Sequence, residues 1–151
     1  MQNFNILNTR EVKSILSMIR SQFGYTGKID YAFLRNKDDI YIISRDLAKI
    51  DTRKFRINSL GLYFGEIKKG ILRLSIDATN LIGNDLGKNI LILDDEAIFY
   101  WLKGDDIPVK TDLKGYVVVK NKQDYLGCGY MKDDVLLNYV PKERRLKTIY
   151  H

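Results

Sequence analysis

Apolar residues recur at helical spacing near the start of the chain and predict a helix over residues 8–23. The apolar stripe of this helix contains Val12, Ile15, Leu16, Ile19 and Phe23. Asn8 is suited to cap the helix, because Glu11 follows it by three residues, as in a capping box. Gly24 and Gly27 indicate where the helix ends.

Alternating apolar and polar residues next predict strands over residues 29–36 and 39–44, joined by a charged turn. A short helix capped by Ser44 is expected over residues 44–51. Residues 59–77 are typical of a hairpin with its turn at residues 68–70. The apolar positions of its two arms are Leu60, Leu62, Phe64, Ile71, Leu72, Leu74 and Ile76.

Small and polar residues around position 84 predict a boundary between two parts of the chain. Gly61 and Gly65, inside the hairpin before it, indicate a β-bulge or a close approach of another backbone. Residues 77–84 are expected to form a short helix, and residues 84–87 are typical of a linker. We therefore predict one domain over residues 1–84 and a second over residues 87–151.

The second part opens with an apolar strand that leads directly into an aromatic helix. No residue between Ile90 and Leu93 is polar, so this strand is expected to be buried on both faces. Asp94 is suited to cap the helix, and acids in the first turn favour its initiation. Gly104 ends the helix. Its predicted inward stripe consists of Ala97, Ile98, Trp101 and Leu102.

A second hairpin is predicted over residues 115–134, and a final strand over residues 135–140. Gly127 and Gly129 stand two apart, so they face the same side of their strand. A glycine face allows either a packed helix or a bound nucleotide to come close, and we favour the helix.

These motifs resemble the PUA domain, a family named for pseudouridine synthases and archaeosine transglycosylases. The matching positions are Asp94, Glu96, Ala97, Leu102, Gly104, Ile107, residues 117–119 and residues 126–129. The first half is similar to the pre-PUA domain of ribosome-biogenesis factors, while the tail LLNYVPKERRLK resembles the PUA extension of Sun-family rRNA cytosine methyltransferases. Many PUA domains carry Gly-Ile after Pro in the loop after the helix, whereas Val109 and Lys110 follow Pro108 here.

The resemblance implies an α+β protein with two parts. The N-terminal part would be an α/β pre-PUA domain with an antiparallel sheet, and the C-terminal part a PUA pseudo-barrel that binds RNA. Members of the PUA family bind RNA partly through their last strand and the neighbouring helix and loop.

Charge supports an anionic partner. The chain carries 25 basic and 19 acidic residues, a net charge of +6. Residues 137–151 alone contain four basic side chains and one acidic side chain. A positive field of this kind favours polyanions such as nucleic acid, although a solvated charged tail would show the same composition.

Catalytic chemistry finds little support in the sequence. The only histidine is His151, the last residue, so neither a Ser-His nor a Cys-His nucleophile is expected. Cys128 stands between two glycines and is interpreted as a small core residue. No spacing resembles an EF-hand or a phosphate-binding loop, and 151 residues are too few to add a methyltransferase domain. We therefore predict no enzymatic activity, no cofactor and no metal.

The expected function is RNA binding without catalysis, on rRNA or tRNA, in ribosome biogenesis or RNA modification. The residues expected to contact RNA are Lys103, Lys110, Lys114, Tyr139, Lys142, Arg144, Arg145 and Lys147. A second basic cluster contains Arg45, Lys49, Arg53, Lys54 and Arg56, each of which is more simply interpreted as plain surface. The absence of a signal peptide or membrane span favours a cytoplasmic protein.

The alternative is a protein-interaction adaptor that docks on an RNA methyltransferase, another RNA-modifying enzyme or a ribosome assembly factor. An exposed apolar patch on residues 59–76 would favour the adaptor.

Overall fold

The computed structural model of the chain describes residues 4–49 and 61–147. Within these residues, the first of two five-stranded sheets has the order β1-β2-β3-β4-β5, and all its neighbours are antiparallel. Its strands are β1 (Asn5–Ile6), β2 (Ala32–Asn36), β3 (Asp39–Ile43), β4 (Leu62–Lys68) and β5 (Ile71–Leu74). The helices of this part are α1 (Thr9–Phe23), α2 (Arg45–Ala48) and α3 (Ile76–Ile82), followed by a 3-10 turn at Gly83–Asp85.

Helix α1 forms as its sequence pattern predicts. The Asn8 side chain accepts a hydrogen bond from the Glu11 backbone N–H, and the Glu11 side chain accepts one from the Asn8 backbone N–H. Ile15, Ile19 and Phe23 are buried against the first sheet, which explains the apolar stripe. Gly24 ends the helix at φ 63°, a left-handed conformation in which glycine carries no steric cost. The predicted capping box and helix end are therefore confirmed.

The hairpin formed by β4 and β5 contains the irregularity that its glycines indicate. The register between β3 and β4 shifts after the pair Ile40 and Gly65, which leaves one extra residue on β4. A Cβ atom on Gly65 would lie 2.3 Å from the carbonyl oxygen of Arg73, so only glycine allows this close approach of the two backbones.

The second sheet is a curled half-barrel with the order β6-β8-β9-β10-β7. Strand β6 is parallel to β8, and the other pairs are antiparallel. Its strands are β6 (Ile90–Ile92), β7 (Ile107–Pro108), β8 (Gly115–Asn121), β9 (Asp124–Lys132) and β10 (Val135–Leu137), and helix α4 (Asp95–Lys103) follows β6. Helices combined with these two sheets confirm the predicted α+β class.

The two sheets share a hydrophobic core. Val118, Tyr125 and Cys128 of the second sheet belong to the cluster that contains α1 and the first sheet. Helix α3 packs on β9, where the buried Thr79 hydroxyl accepts a hydrogen bond of 3.0 Å from the Gly127 N–H. Gly127 bulges at φ 83° toward Ile76 of α3, which confirms helix packing at the glycine face.

The segment between the sheets is fixed at several points. Residues 83–85 form the 3-10 turn, Leu86 is buried, and the Gly87 N–H donates to the carbonyl of Phe23. A domain boundary near residues 84–87 stays a prediction.

Three sequence predictions are wrong. Strand β6 is not buried on both faces, because it is an edge strand and Ile92 is 71 % exposed. The final strand ends at Leu137 rather than at residue 140, since Asn138 turns the chain. In the hairpin, Ile71 is exposed beside the turn and Ile76 begins α3.

Residues 50 and 51 of the predicted helix over 44–51, and residues 59 and 60 of the predicted hairpin over 59–77, lie outside the described residues. None of the helices in the described part of the chain has the length and apolar character required to span a lipid bilayer.

Candidate nucleic-acid interface

Helix α4 carries the candidate contact residue Lys103 in its last turn. The Asp94 side chain caps it by accepting a hydrogen bond of 2.8 Å from the Ala97 N–H, as predicted. Trp101 is fully buried and its indole Nε1 donates to the carbonyl of Leu126 at 3.1 Å, which holds the helix against β9. Gly104 ends the helix at φ 99°, as its sequence position predicts.

Two aromatic rings and a lysine lie together on the outer side of α4. Phe99 and Tyr100 are exposed, and their rings pack edge to face with centres 5.5 Å apart. The Lys103 ammonium lies 5.3 Å from the ring centre of Phe99 and 5.5 Å from that of Tyr100. The lysine is therefore held near both rings by cation–π attraction.

The C-terminal tail brings further cations to the end of α4. The Leu146 N–H donates to the carbonyl of Leu102 at 2.8 Å, and Arg145 Nε donates to the carbonyl of Val140 at 3.0 Å. A Cβ atom on Gly104 would lie 2.5 Å from Arg145 Nε, so only glycine at this position leaves space for the guanidinium group.

We call Lys103, Arg145 and Lys147 the helix-end cluster. Lys103 and Arg145 lie at or beside the negative end of the helix dipole, which favours positive charge, and Lys147 directly follows Leu146, whose N–H contacts the helix end. Among the described residues, none of the three forms an ion pair.

Asn138 fixes the tail to the end of α4. Its side-chain amide donates to the carbonyls of Trp101 and Asp105, each at 2.8 Å, and its Oδ1 accepts from the Val140 N–H at 2.7 Å. Its backbone N–H donates to the Asp106 carboxylate at 2.8 Å. The side chain thus joins the helix end, the following loop and the start of the tail.

The other predicted contact residues are dispersed. Lys110 and Lys114 are exposed in the connection between β7 and β8, and no hydrogen bond or ion pair in the described ranges joins them to the helix-end cluster. Lys142 is exposed in the 3-10 turn at Lys142–Arg144. Arg144 forms an ion pair with Asp77 of α3, in which Nη1 lies 3.2 Å from both carboxylate oxygens.

The second basic cluster is partly neutralised. Arg45 pairs with Asp30 at 2.6 Å, and Lys49 approaches Asp46 at 3.8 Å. Arg53, Lys54 and Arg56 lie outside the described residues.

Acidic residues limit the positive surface on one side. A cavity of about 310 Å³ next to α4 is lined by Asp94, Glu96, Asp105 and Asp106 together with Ala97, Tyr100, Ile107 and Pro108. Hydrogen bonds from Asn121 and from Lys122 lower the pKa of the nearby Asp95. Within the described residues, no group of three or more histidine, cysteine or acidic side chains could hold a metal ion.

A second cavity, of about 280 Å³, lies between the two sheets, and we call it the inter-sheet cleft. Its walls include Tyr63 and Arg73 from the first sheet, Asp77 from α3, and Tyr139 and Arg144 from the tail. The Arg73 guanidinium carbon lies 5.0 Å from the ring centre of Tyr139. The ring centre of Tyr116 lies 5.8 Å from the ring centre of Tyr139.

Cys128 also lines this cleft but does not offer a reactive thiol. Burial raises its pKa to about 12, against weaker opposing effects of the Leu74 backbone and Arg73. The thiol therefore stays protonated at neutral pH, as its interpretation as a core residue requires.

Several important residues were missed in the sequence. Phe99 and Tyr100 fall outside the inward stripe of α4, so helical periodicity could have marked them as exposed rings. Arg73 stands between Leu72 and Leu74, which face inward. This alternation predicts only that Arg73 lies on the opposite face of the strand, not that it lines a cleft. Nothing in the sequence signals the role of Asn138, because its partners are backbone groups distant in the chain.

Comparison with known proteins identifies the second half of the chain. Residues 88–146 match the family model of the methyltransferase RsmF PUA domain. The matched segment contains all five strands of the second sheet, helix α4 and the tail as far as Leu146. No curated protein matches the chain. Residues 88–146 of the chain are therefore similar to the PUA domain of RsmF-type methyltransferases.

Proposed function

We propose that this protein binds RNA through the helix-end cluster of its PUA domain. The observation that carries the proposal is the arrangement at the end of α4, where Lys103 lies against two exposed aromatic rings and the tail places Arg145 beside Gly104. Ammonium and guanidinium groups contact phosphates, and aromatic faces stack on unpaired bases. The match to a PUA domain supports the same function.

The structure of the cluster suggests how it would act. Hydrogen bonds from Asn138 and Leu146 fix the tail before RNA arrives, so little conformational entropy is lost on binding. Phosphate contacts would supply most of the affinity, while the exposed rings would favour loops or bulges over a continuous duplex. The acidic cavity next to α4 would repel phosphates, so the RNA backbone would run away from that side of the helix.

We further propose that the RNA is rRNA or tRNA and that the protein acts without catalysis in ribosome biogenesis or RNA modification. Supporting this, the described residues contain no histidine, and their only cysteine is buried with a raised pKa. A separate RNA methyltransferase or assembly factor would then act on the bound RNA.

The described part of the 59–76 segment gives the adaptor alternative little support. In the described residues 61–76, Ile71 is the only large hydrophobic side chain that is strongly exposed. We therefore favour RNA as the partner.

Salt dependence tests the proposal. Affinity for a fluorescein-labelled RNA hairpin with a single-stranded loop would be measured by anisotropy at several salt concentrations. Replacing Lys103, Arg145 and Lys147 with glutamine should lower the log–log slope by about 0.7–0.9 for each lost phosphate contact, so by about two to three in total. The matched control replaces three exposed lysines elsewhere: Lys13, Lys28 and Lys132.

Both triple variants lose three positive charges, so general electrostatic attraction falls equally. Equal slopes for the two variants would overturn the assignment to the helix-end cluster. Absence of RNA binding by the unmodified protein even at low salt would overturn the function itself.

A further inference from the structure

We infer that the inter-sheet cleft binds one unpaired nucleotide of the RNA, with its base against Tyr139 and its phosphate at Arg144. This inference rests on the proposed RNA binding, and it extends the site to the first sheet. The cleft opens between the tail, which carries Tyr139 and Arg144, and the first sheet, which contributes Tyr63 and Arg73.

Tyr139 has the properties of a stacking platform. Its side chain is 40 % exposed, although Arg73 lies 5.0 Å from the centre of its ring and Tyr116 packs on it at an interplanar angle of 67°. These contacts hold the ring in one orientation, so a base that enters the cleft can stack on it without first ordering the side chain. Stacking on a tyrosine tolerates any base, because every base has a π face.

The size and lining of the cleft suit one nucleotide. A volume of about 280 Å³ is near the lower limit of ligand pockets, about 300 Å³, and excludes a duplex. Leu74, Ile76, Leu126, Val140 and Pro141 provide apolar walls. The Arg73 side chain is only 17 % exposed, and its Nε has no hydrogen-bond partner in the described structure. Its Nη2 pairs with Glu66 at 3.4 Å, which holds the guanidinium group in place over the Tyr139 ring.

Arg144 provides a phosphate contact, and Asp77 occupies this arginine when RNA is absent. Its ion pair with Asp77 is exposed, with side chains 44 % and 41 % accessible. Exposed ion pairs contribute little to stability, so an RNA phosphodiester, which guanidinium groups bind through two parallel hydrogen bonds, can replace the Asp77 carboxylate. The exchange leaves Asp77 in water and costs no buried charge.

Photo-crosslinking tests the position of the base. 5-Iodouridine would be placed at each loop position of the RNA hairpin in turn, and crosslinked peptides would be identified by mass spectrometry. One loop position should crosslink to Tyr139. Tyr139→Phe should retain the crosslink, whereas Tyr139→Leu should abolish it and weaken binding about five- to 150-fold.

Circular dichroism would verify that both variants fold. Crosslinks confined to Phe99 and Tyr100, with full affinity in Tyr139→Leu, would overturn the cleft assignment and leave the proposed RNA binding intact. Loss of all RNA binding by the unmodified protein would instead refute both.

A charge-matched pair of variants tests the role of Arg144. Asp77→Asn frees this arginine, whereas Asp112→Asn removes an exposed acid that has no ion pair among the described residues. Both raise the net charge by one. Asp77→Asn should tighten RNA binding more than the control and steepen the log–log salt slope by up to about 0.7. Identical affinities and slopes for the two variants would show that the phosphate does not reach Arg144.

Discussion

Replacing Asn138 with alanine should loosen the end of α4 from the tail. The side chain makes three hydrogen bonds of 2.7–2.8 Å, to the backbones of Trp101, Asp105 and Val140. Alanine can replace none of them, and the freed groups belong to a helix end and a turn that are partly buried. The perturbation therefore acts on the backbone that carries Arg145, not on a contact with RNA.

The magnitude follows from the number of lost bonds. A hydrogen bond contributes about 0.5–1.5 kcal/mol net, so three bonds give about 1.5–4.5 kcal/mol. Water can reach the partly exposed amide site and replace some of these bonds, which favours the lower half, about 2 kcal/mol. For a chain of this size, that loss lowers the melting temperature by about 4–8 °C.

Urea denaturation followed by circular dichroism measures the free energy of unfolding directly. Asn80→Ala serves as the control, because it removes an exposed amide from α3 that makes no side-chain hydrogen bond in the described structure. A loss below about 0.5 kcal/mol in Asn138→Ala would refute the reasoning, since that is the contribution expected of one weak bond. RNA affinity measured on the same variant should also fall, because Arg145 loses its fixed position.

Three further predictions concern the same half of the chain. Gly104→Ala should cost about 1–2 kcal/mol and weaken RNA binding, because its Cβ displaces Arg145, whereas Gly70→Ala, at φ 75° with open space around it, should cost stability alone. Trp101→Ala should lower the free energy of unfolding by about 3–5 kcal/mol in urea titrations, since it empties a fully buried site. Cys128 should react with Ellman's reagent only after unfolding. Its pKa of about 12 lies above that of an unfolded thiol, so stability measured against pH should fall above about pH 8.5; rapid native reactivity would contradict its burial.

Local signals in the sequence were sufficient for much of the fold. The ends of α1 and α4 follow from Asn8, Asp94 and Gly104, whose side chains or conformations act on their nearest neighbours. The alternation of apolar and polar residues identified the β4–β5 and β8–β9 hairpins, because each hairpin pairs strands that are adjacent in the chain. These features depend on contacts within a few residues.

The errors arise where tertiary context decides. The pattern of Ile90–Leu93 does not reveal that β6 has a partner on one side only, so Ile92 is exposed at an edge. The ion pair between Arg144 and Asp77 joins residues 67 positions apart, and no local pattern encodes it. The sequence therefore identified the basic tail, but only the structure separates Arg145 at the helix end from Arg144 in the cleft.

Mapping RNA contacts by NMR tests the central claim most directly. Backbone amide shifts of the full chain would be followed while the RNA hairpin is added. The account predicts that the largest changes fall on residues 99–104 and 138–147, with smaller changes near Arg73. Changes confined to residues 4–49, or spread evenly over all lysines, would contradict the assignment of RNA binding to the end of α4.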